Sequence, residues 1–155
     1  MTDVSSLPAP CLLPLGDAAF TVVFGSSVDA AIHARVRGLA ATLAAGQAAG
    51  ALPGVTEWLP TFASVTVFFD PDLTDPDALA ARLLDLARQA DEVIPNGSTW
   101  TLPVCFDADF GPDLDTLAAA CGLARDEVIA RLTGTEFRVW MLGFLPGFPY
   151  LGGLP

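Results

Sequence analysis

Glu136-Phe-Arg-Val-Trp-Met-Leu-Gly-Phe-Leu-Pro-Gly-Phe-Pro-Tyr-Leu-Gly-Gly-Leu-Pro155 opens as a strand and then abandons that pattern. Phe137, Val139 and Met141 alternate with Arg138 and Trp140, the period of an extended chain. From Gly143 onward, Gly143, Gly147, Gly152 and Gly153 and the prolines Pro146, Pro149 and Pro155 interrupt a run that stays apolar. Glycine allows main-chain conformations closed to other residues, and proline removes a donor and stiffens the path. The run therefore reads as a shaped loop. Phe144, Phe148, Tyr150 and Leu151 would leave an apolar patch on a solvated linker. Two readings stay open for it: a plug for the end of its own core, or a rigid platform offering backbone amides to a ligand or partner subunit.

The remaining composition narrows the class. The chain has 155 residues, 52% hydrophobic and 16% charged, which is enough apolar material for one ordinary domain or two small ones. It contains no lysine; its seven arginines stand against eighteen acids, for a formal charge of -11. A surface of that sign disfavours nucleic acid and anionic membranes, because phosphate contacts need a basic patch. No stretch has the length of a membrane span, and the first eight residues lack the basic-then-apolar order of a signal peptide, so the expected location is cytoplasmic. Cys11, Cys105 and Cys121 are odd in number and widely spaced, and read as small apolar residues with neither a disulfide framework nor a zinc pattern.

In chain order, Cys11–Leu15 and Ala19–Phe24 read as strands joined by a tight turn at Gly16-Asp17. A helix follows over 28–45, with Ser26 and Asp29 at capping spacing and Ile32, Val36, Leu39 and Leu43 on one stripe. His33 lies beside that stripe and reads as a helix-surface residue, since the local sequence offers no acidic or hydroxyl partner for a base. Val55–Leu59 and Ala63–Phe69 read as strands broken at Pro60. Asp75 then caps a helix with Pro76 in its first turn and Leu79, Leu83 and Leu86 buried. Asp70, Asp72, Asp75 and Asp77 lack the spacing of a calcium loop and suit a helix start, so no metal site is expected.

Residues 1–94 thus form an expected α+β domain, an antiparallel sheet with two helices on one face, ending near Pro95-Asn-Gly. A second domain, 95–155, opens with an expected strand at Thr99–Phe106. There Leu102, Val104 and Phe106 alternate with Thr101, Pro103 and Cys105, and the proline points to an edge. Two short helices follow, one after Pro112 and ended by Gly122, the other over Arg125–Leu132. Asp107, Asp109 and Asp113 lie between the strand and the first of these helices, where a general base or an ammonium-binding group could sit. The competing reading is helix capping by Asp109 with Asp113 in the first turn. Two strands, two short helices and an apolar loop cannot cover their own edges, so this domain is expected to need further strands or a partner.

The run Phe137-x-x-x-Met141-Leu-Gly-Phe-x-Pro-Gly-Phe-x-Tyr-Leu-Gly-Gly153 resembles the signature of the KipI/PxpB family, also called allophanate hydrolase subunit 1 or carboxyltransferase subdomains C and D. The stretches Leu15–Gly25, Glu57–Pro71 and Phe110–Leu114 agree with it, so the resemblance spans the chain. It implies that 95–155 is the incomplete start of a cyclophilin-like barrel. It further implies a subunit of an ATP-dependent 5-oxoprolinase, working with a companion carboxyltransferase-like subunit and a third hydrolase subunit. The chain has no lysine and no glycine-rich phosphate motif ending in one, so ATP is left to partners, to arginines or to backbone amides such as those of Gly143–Gly147. The ligand or partner loop implied is Gly143, Phe144, Pro146, Gly147, Phe148, Tyr150, Gly152 and Gly153. One departure is Phe106, where the family pattern often has tyrosine. The resemblance leaves two other functions open: a binding-only inhibitor of a histidine kinase, or a piece of an allophanate hydrolase or urea carboxylase whose partner is a biotin carrier.

Overall fold

The computed structural model describes residues 9–94 and 96–154; the reading of the first eight residues and the Pro95 boundary lie outside that set. Among the described residues, six strands and four helices are formed in the order β1 (Cys11–Pro14), β2 (Ala19–Val23), α1 (Ala30–Ala48), β3 (Val55–Pro60), β4 (Ser64–Phe69), α2 (Pro76–Gln89), α3 (Leu114–Cys121), α4 (Arg125–Gly134), β5 (Arg138–Leu142) and β6 (Pro149–Gly152). The described residues fall into two compact units, those up to Asn96 with Trp140–Pro149, and Gly97–Val139 with Tyr150–Leu154.

The first unit is built on a four-stranded antiparallel sheet of order β1-β2-β4-β3. Since β4 is antiparallel to both neighbours, β2 and β3 run parallel, joined over the sheet by α1 with β4 inserted between them. Register makes one face the core. Val22 stands opposite Val65, and Phe20 and Trp58 flank Val67 from either side. Phe20 stacks on Phe69 with ring centroids 5.2 Å apart, while Thr21 and Thr66 pair on the opposite face through a 2.9 Å hydroxyl contact. Val22, Val65 and Val67 join Val36, Leu39 and Leu43 of α1 and Leu79 and Leu83 of α2 in one buried cluster. The expected sheet with two helices is therefore present, and its alternation and stripes are the cause.

Two local expectations shift. The helix expected over 28–45 begins at Ala30, because Asp29 adopts the extended cap conformation and its carboxylate accepts from the amides of Ala31 and Ile32 at 2.8 and 3.0 Å. Asp29→Ala should cost about 1 kcal/mol in a urea titration, the usual worth of such a cap; no measurable change would show those amides to be satisfied otherwise. His33 is buried at 4% exposure, not on the helix surface. The ring of Trp140 in β5 meets His33 edge-on at 5.2 Å, a contact made across about a hundred residues of sequence.

Asp75 caps α2 as its spacing predicts, with Pro76 in the first turn. The chain leaving α2 then lies against α1, where the amide of Val93 donates to the carbonyl of Ala34 at 3.1 Å. A side chain at Gly38 would overlap the carbonyl oxygen of Asp91, so glycine sets this close approach.

In the second unit, α3 and α4 pack around Leu114, Ala118 and Val128, with Phe106, Leu123, Ile129 and Leu132 at the margin. Gly122 ends α3 in the left-handed region, as expected. Thr99–Phe106 is not a strand. An alternating segment becomes one only when another backbone supplies its hydrogen bonds; among the described residues none pairs with 97–105, and Pro103 withholds one donor.

Candidate functional site

The loop from Gly143 closes more tightly than its sequence reading implies. Instead of remaining irregular to its end, it returns as β6, which pairs with β5 in a two-stranded sheet. Four residues containing Pro149 give little strand signal on their own; the pairing comes from the turn. The amide of Gly143 donates to the carbonyl of Phe148 at 3.1 Å, that of Phe148 to Leu145 at 3.0 Å, and that of Leu145 to Gly143 at 2.8 Å. The last of these closes a three-residue turn centred on Phe144, whose φ of 66° is unusual for a bulky side chain. The residue is 82% exposed, and its ring meets Phe148 edge-on at 5.8 Å. Strained backbone thus holds an aromatic ring out into solvent, an arrangement that packing of this loop into its own core would not produce.

Gly147 lies at φ 77° with open space where a side chain would project. Gly147→Val should therefore cost about 1–2 kcal/mol through backbone strain alone, confined to the turn. Thermal melts followed by helical circular dichroism should leave the transition of α1, α2 and the four-stranded sheet intact; loss of that transition would mean the turn carries the fold.

Phe148, Tyr150 and Leu151 are exposed at the surface, and Pro146 lies in the turn. Gly153 sits at φ 105° and Gly152 ends β6. The predicted loop residues are thus gathered in one hairpin.

The three acids are divided. Asp113, and not Asp109, occupies the cap position of α3, and it makes no side-chain capping bond. It lines an open cleft of about 290 Å³ with Val104, Phe106, Phe110 and Leu117. Asp107 contributes its carbonyl, which accepts from the amides of Phe110 and Gly111 at 2.9 and 2.8 Å, and Asp109 is exposed within that turn. Neither lines the cleft, so the structure does not assemble a carboxylate pair there.

Arg125 donates from its guanidinium to the carbonyl of Phe106, one of the cleft's lining residues, at 2.6 Å and approaches Asp115 at 3.5 Å. Sequence reading missed this arginine, because a side-chain bond reaching back nineteen residues leaves no periodic signal. Among the described residues, no group of three His, Cys, Asp or Glu side chains could hold a metal ion, and no helix is long and apolar enough to cross a membrane.

The sequence model of the family described as carboxyltransferase domain, subdomain C and D, matches residues 10–155. The chain belongs to that family. Within the carboxyltransferase subdomain C and D family, a 5-oxoprolinase subunit from Bacillus subtilis (strain 168) is 36% identical over 151 residues, covering 90% of this chain and 61% of the relative. The chain therefore spans about three fifths of that relative's length. A crystal structure of TTHA0988 superposes with a TM-score of 0.70 at 29% identity, covering 88% of this chain and 26% of that one. The Kluyveromyces lactis urea carboxylase superposes with a TM-score of 0.66 at 20% identity over 99% of this chain and 15% of its own, a likeness of fold alone. The matched range includes both the exposed Phe144 turn and Asp113.

Proposed function

We propose that this chain is a component of an ATP-dependent 5-oxoprolinase that opens the lactam of 5-oxoproline to glutamate, and that it acts only with partner subunits. The observation that carries this is the 36% identity to a bacterial 5-oxoprolinase subunit across nine tenths of the chain. A lactam resists water until its carbonyl oxygen is activated, and ATP bound in the assembled complex supplies that activation by phosphorylation. This chain's own contribution is positioning. Of the backbone amides along Gly143–Gly147, those of Gly143 and Leu145 already donate within the turn and Pro146 has none, so the amides of Phe144 and Gly147 and the Asp113 carboxylate at the cleft are the groups we assign to ligand contact, with Asp107 and Asp109 as weaker candidates. Residues 1–94 form the α+β domain of this reading. Residues 95–155 begin a cyclophilin-like barrel in it, a reading supported by the exposed alternating side chains of Trp100, Leu102 and Val104.

The test is reconstitution. The purified chain, a companion carboxyltransferase-like subunit and a third hydrolase subunit should together form glutamate and ADP from 5-oxoproline and ATP. Omitting any one should abolish turnover. Turnover by this chain alone, or full activity without it, would refute the proposal.

A binding-only role, inhibition of a histidine kinase, is favoured by one observation: the exposed Phe144 ring needs no chemistry to bind an apolar surface. It predicts kinase binding with no turnover in any reconstitution. A carboxyltransferase piece served by a biotin carrier is the third assignment, and it predicts binding of biotinylated carrier protein instead.

A further inference from the structure

We infer that the edge-on contact between His33 and Trp140 seats the Phe144 turn on α1, which makes His33 a positioning residue for the ligand and partner contacts assigned to that turn. The inference deepens the proposed function, and its binding arm rests on that reading. Among the described residues His33 is the one polar or charged residue buried, and it is the chain's single histidine. An imidazole is costly to bury where a leucine is not, so specific contacts must offset its desolvation. The helix shows where one of them lies. Ile32, Val36, Leu39 and Leu43 enter the cluster beneath the sheet, while on the far side of α1 the Ala34 carbonyl accepts from Val93 and Gly38 faces the carbonyl of Asp91. At about 100° per residue, His33 falls on the flank between those two surfaces. There the half-buried Trp140 meets it with ring planes at 77°, the edge-on geometry that ring quadrupoles favour.

The place of Trp140 in the chain gives this contact its consequence. Trp140 lies in β5 just before the turn, and the stretch Trp140–Pro149 belongs to the same compact unit as α1. That stretch holds the whole turn, including Phe144 at φ 66°. The bonds from Gly143 to Phe148, Phe148 to Leu145 and Leu145 to Gly143 are internal to the turn, so they fix its shape and not its place. Its place is set through Trp140, at the end of a strand too short to bend. A strained residue such as Phe144 persists only where its surroundings over-determine it, and a turn seated beforehand binds without the entropy loss of being ordered.

Backbone nitrogen-15 relaxation of the full chain tests the seating. Order parameters at Gly143, Phe144 and Gly147 should be near about 0.85 in the parent, as in β2 and β4, and should fall below about 0.6 in His33→Ala and in Trp140→Leu while β2 and β4 stay rigid. Trp140→Leu acts from outside α1, so it decides the matter even if His33→Ala disturbs the helix. His33→Phe keeps a ring on the flank and should keep the turn ordered. In calorimetric titrations with the partner subunits, affinity should fall about tenfold in His33→Ala and stay within about threefold of the parent in His33→Phe. Unchanged order parameters in Trp140→Leu would overturn the inference, and so would a turn as mobile in His33→Phe as in His33→Ala. A parent chain that binds no partner subunit would refute the proposed function instead, and the order parameters would still decide the seating.

Discussion

Leu39→Ala should lower the stability of the first unit by about 3 kcal/mol, within the range for deleting a buried leucine. Leu39 is 0% exposed, enclosed with Val36, Leu43, Val65, Val67 and Leu83 between α1, α2 and the sheet. Alanine is the better helix former, but that gain is only a few tenths of a kcal/mol, so the cavity decides the sign. The close approach of α1 to the segment after α2 at Gly38 limits how far the helix can settle into the space left behind. A urea titration followed by helical circular dichroism should show the midpoint falling with an unchanged slope. A loss below about 1 kcal/mol would mean that this core is loosely packed.

The second large effect should appear in assembly and carry the opposite sign for stability. Phe144 stands at a positive φ with its ring in solvent, so it costs the isolated chain something at its own position. Asparagine tolerates that conformation better. Phe144→Asn should therefore leave the free chain as stable as before, or up to about 1 kcal/mol more stable, while binding to the partner subunits weakens by about 2 kcal/mol, or ~30-fold. Calorimetric titration of the partners together with a urea melt reads both quantities. Unchanged binding would remove this ring from the interface. Lost folding would mean that it had been supporting the hairpin.

The parts of the fold that could be read from sequence are those whose partners repeat at regular spacing. Val65, Val67 and Phe69 announce β4 because every second residue enters the core, and Ile32, Val36, Leu39 and Leu43 announce α1 because one stripe does. Asp75-Pro76 marks the start of α2, since cap chemistry is local. What escaped depends on distant contacts. Thr99–Phe106 carries as good an alternation as β2 but finds no neighbouring backbone, and β6 arises from a turn that its own four residues do not encode. His33 was misplaced because Trp140, its aromatic neighbour, lies far away in sequence. The glycine-rich turn was legible as a shaped and functional feature; the strained Phe144 within it was not, because no composition rule assigns a positive φ to phenylalanine.

We propose that the Gly143–Gly153 hairpin is a surface completed by further strands or by a partner subunit. Amide hydrogen exchange over residues 139–154, with and without the partner subunits, tests it most directly. The account predicts fast exchange there in the monomeric chain, beside slow exchange in β2 and β4, and strong protection of the hairpin once the partners are added. Slow exchange across the hairpin in the monomer, unchanged by partners, would contradict it.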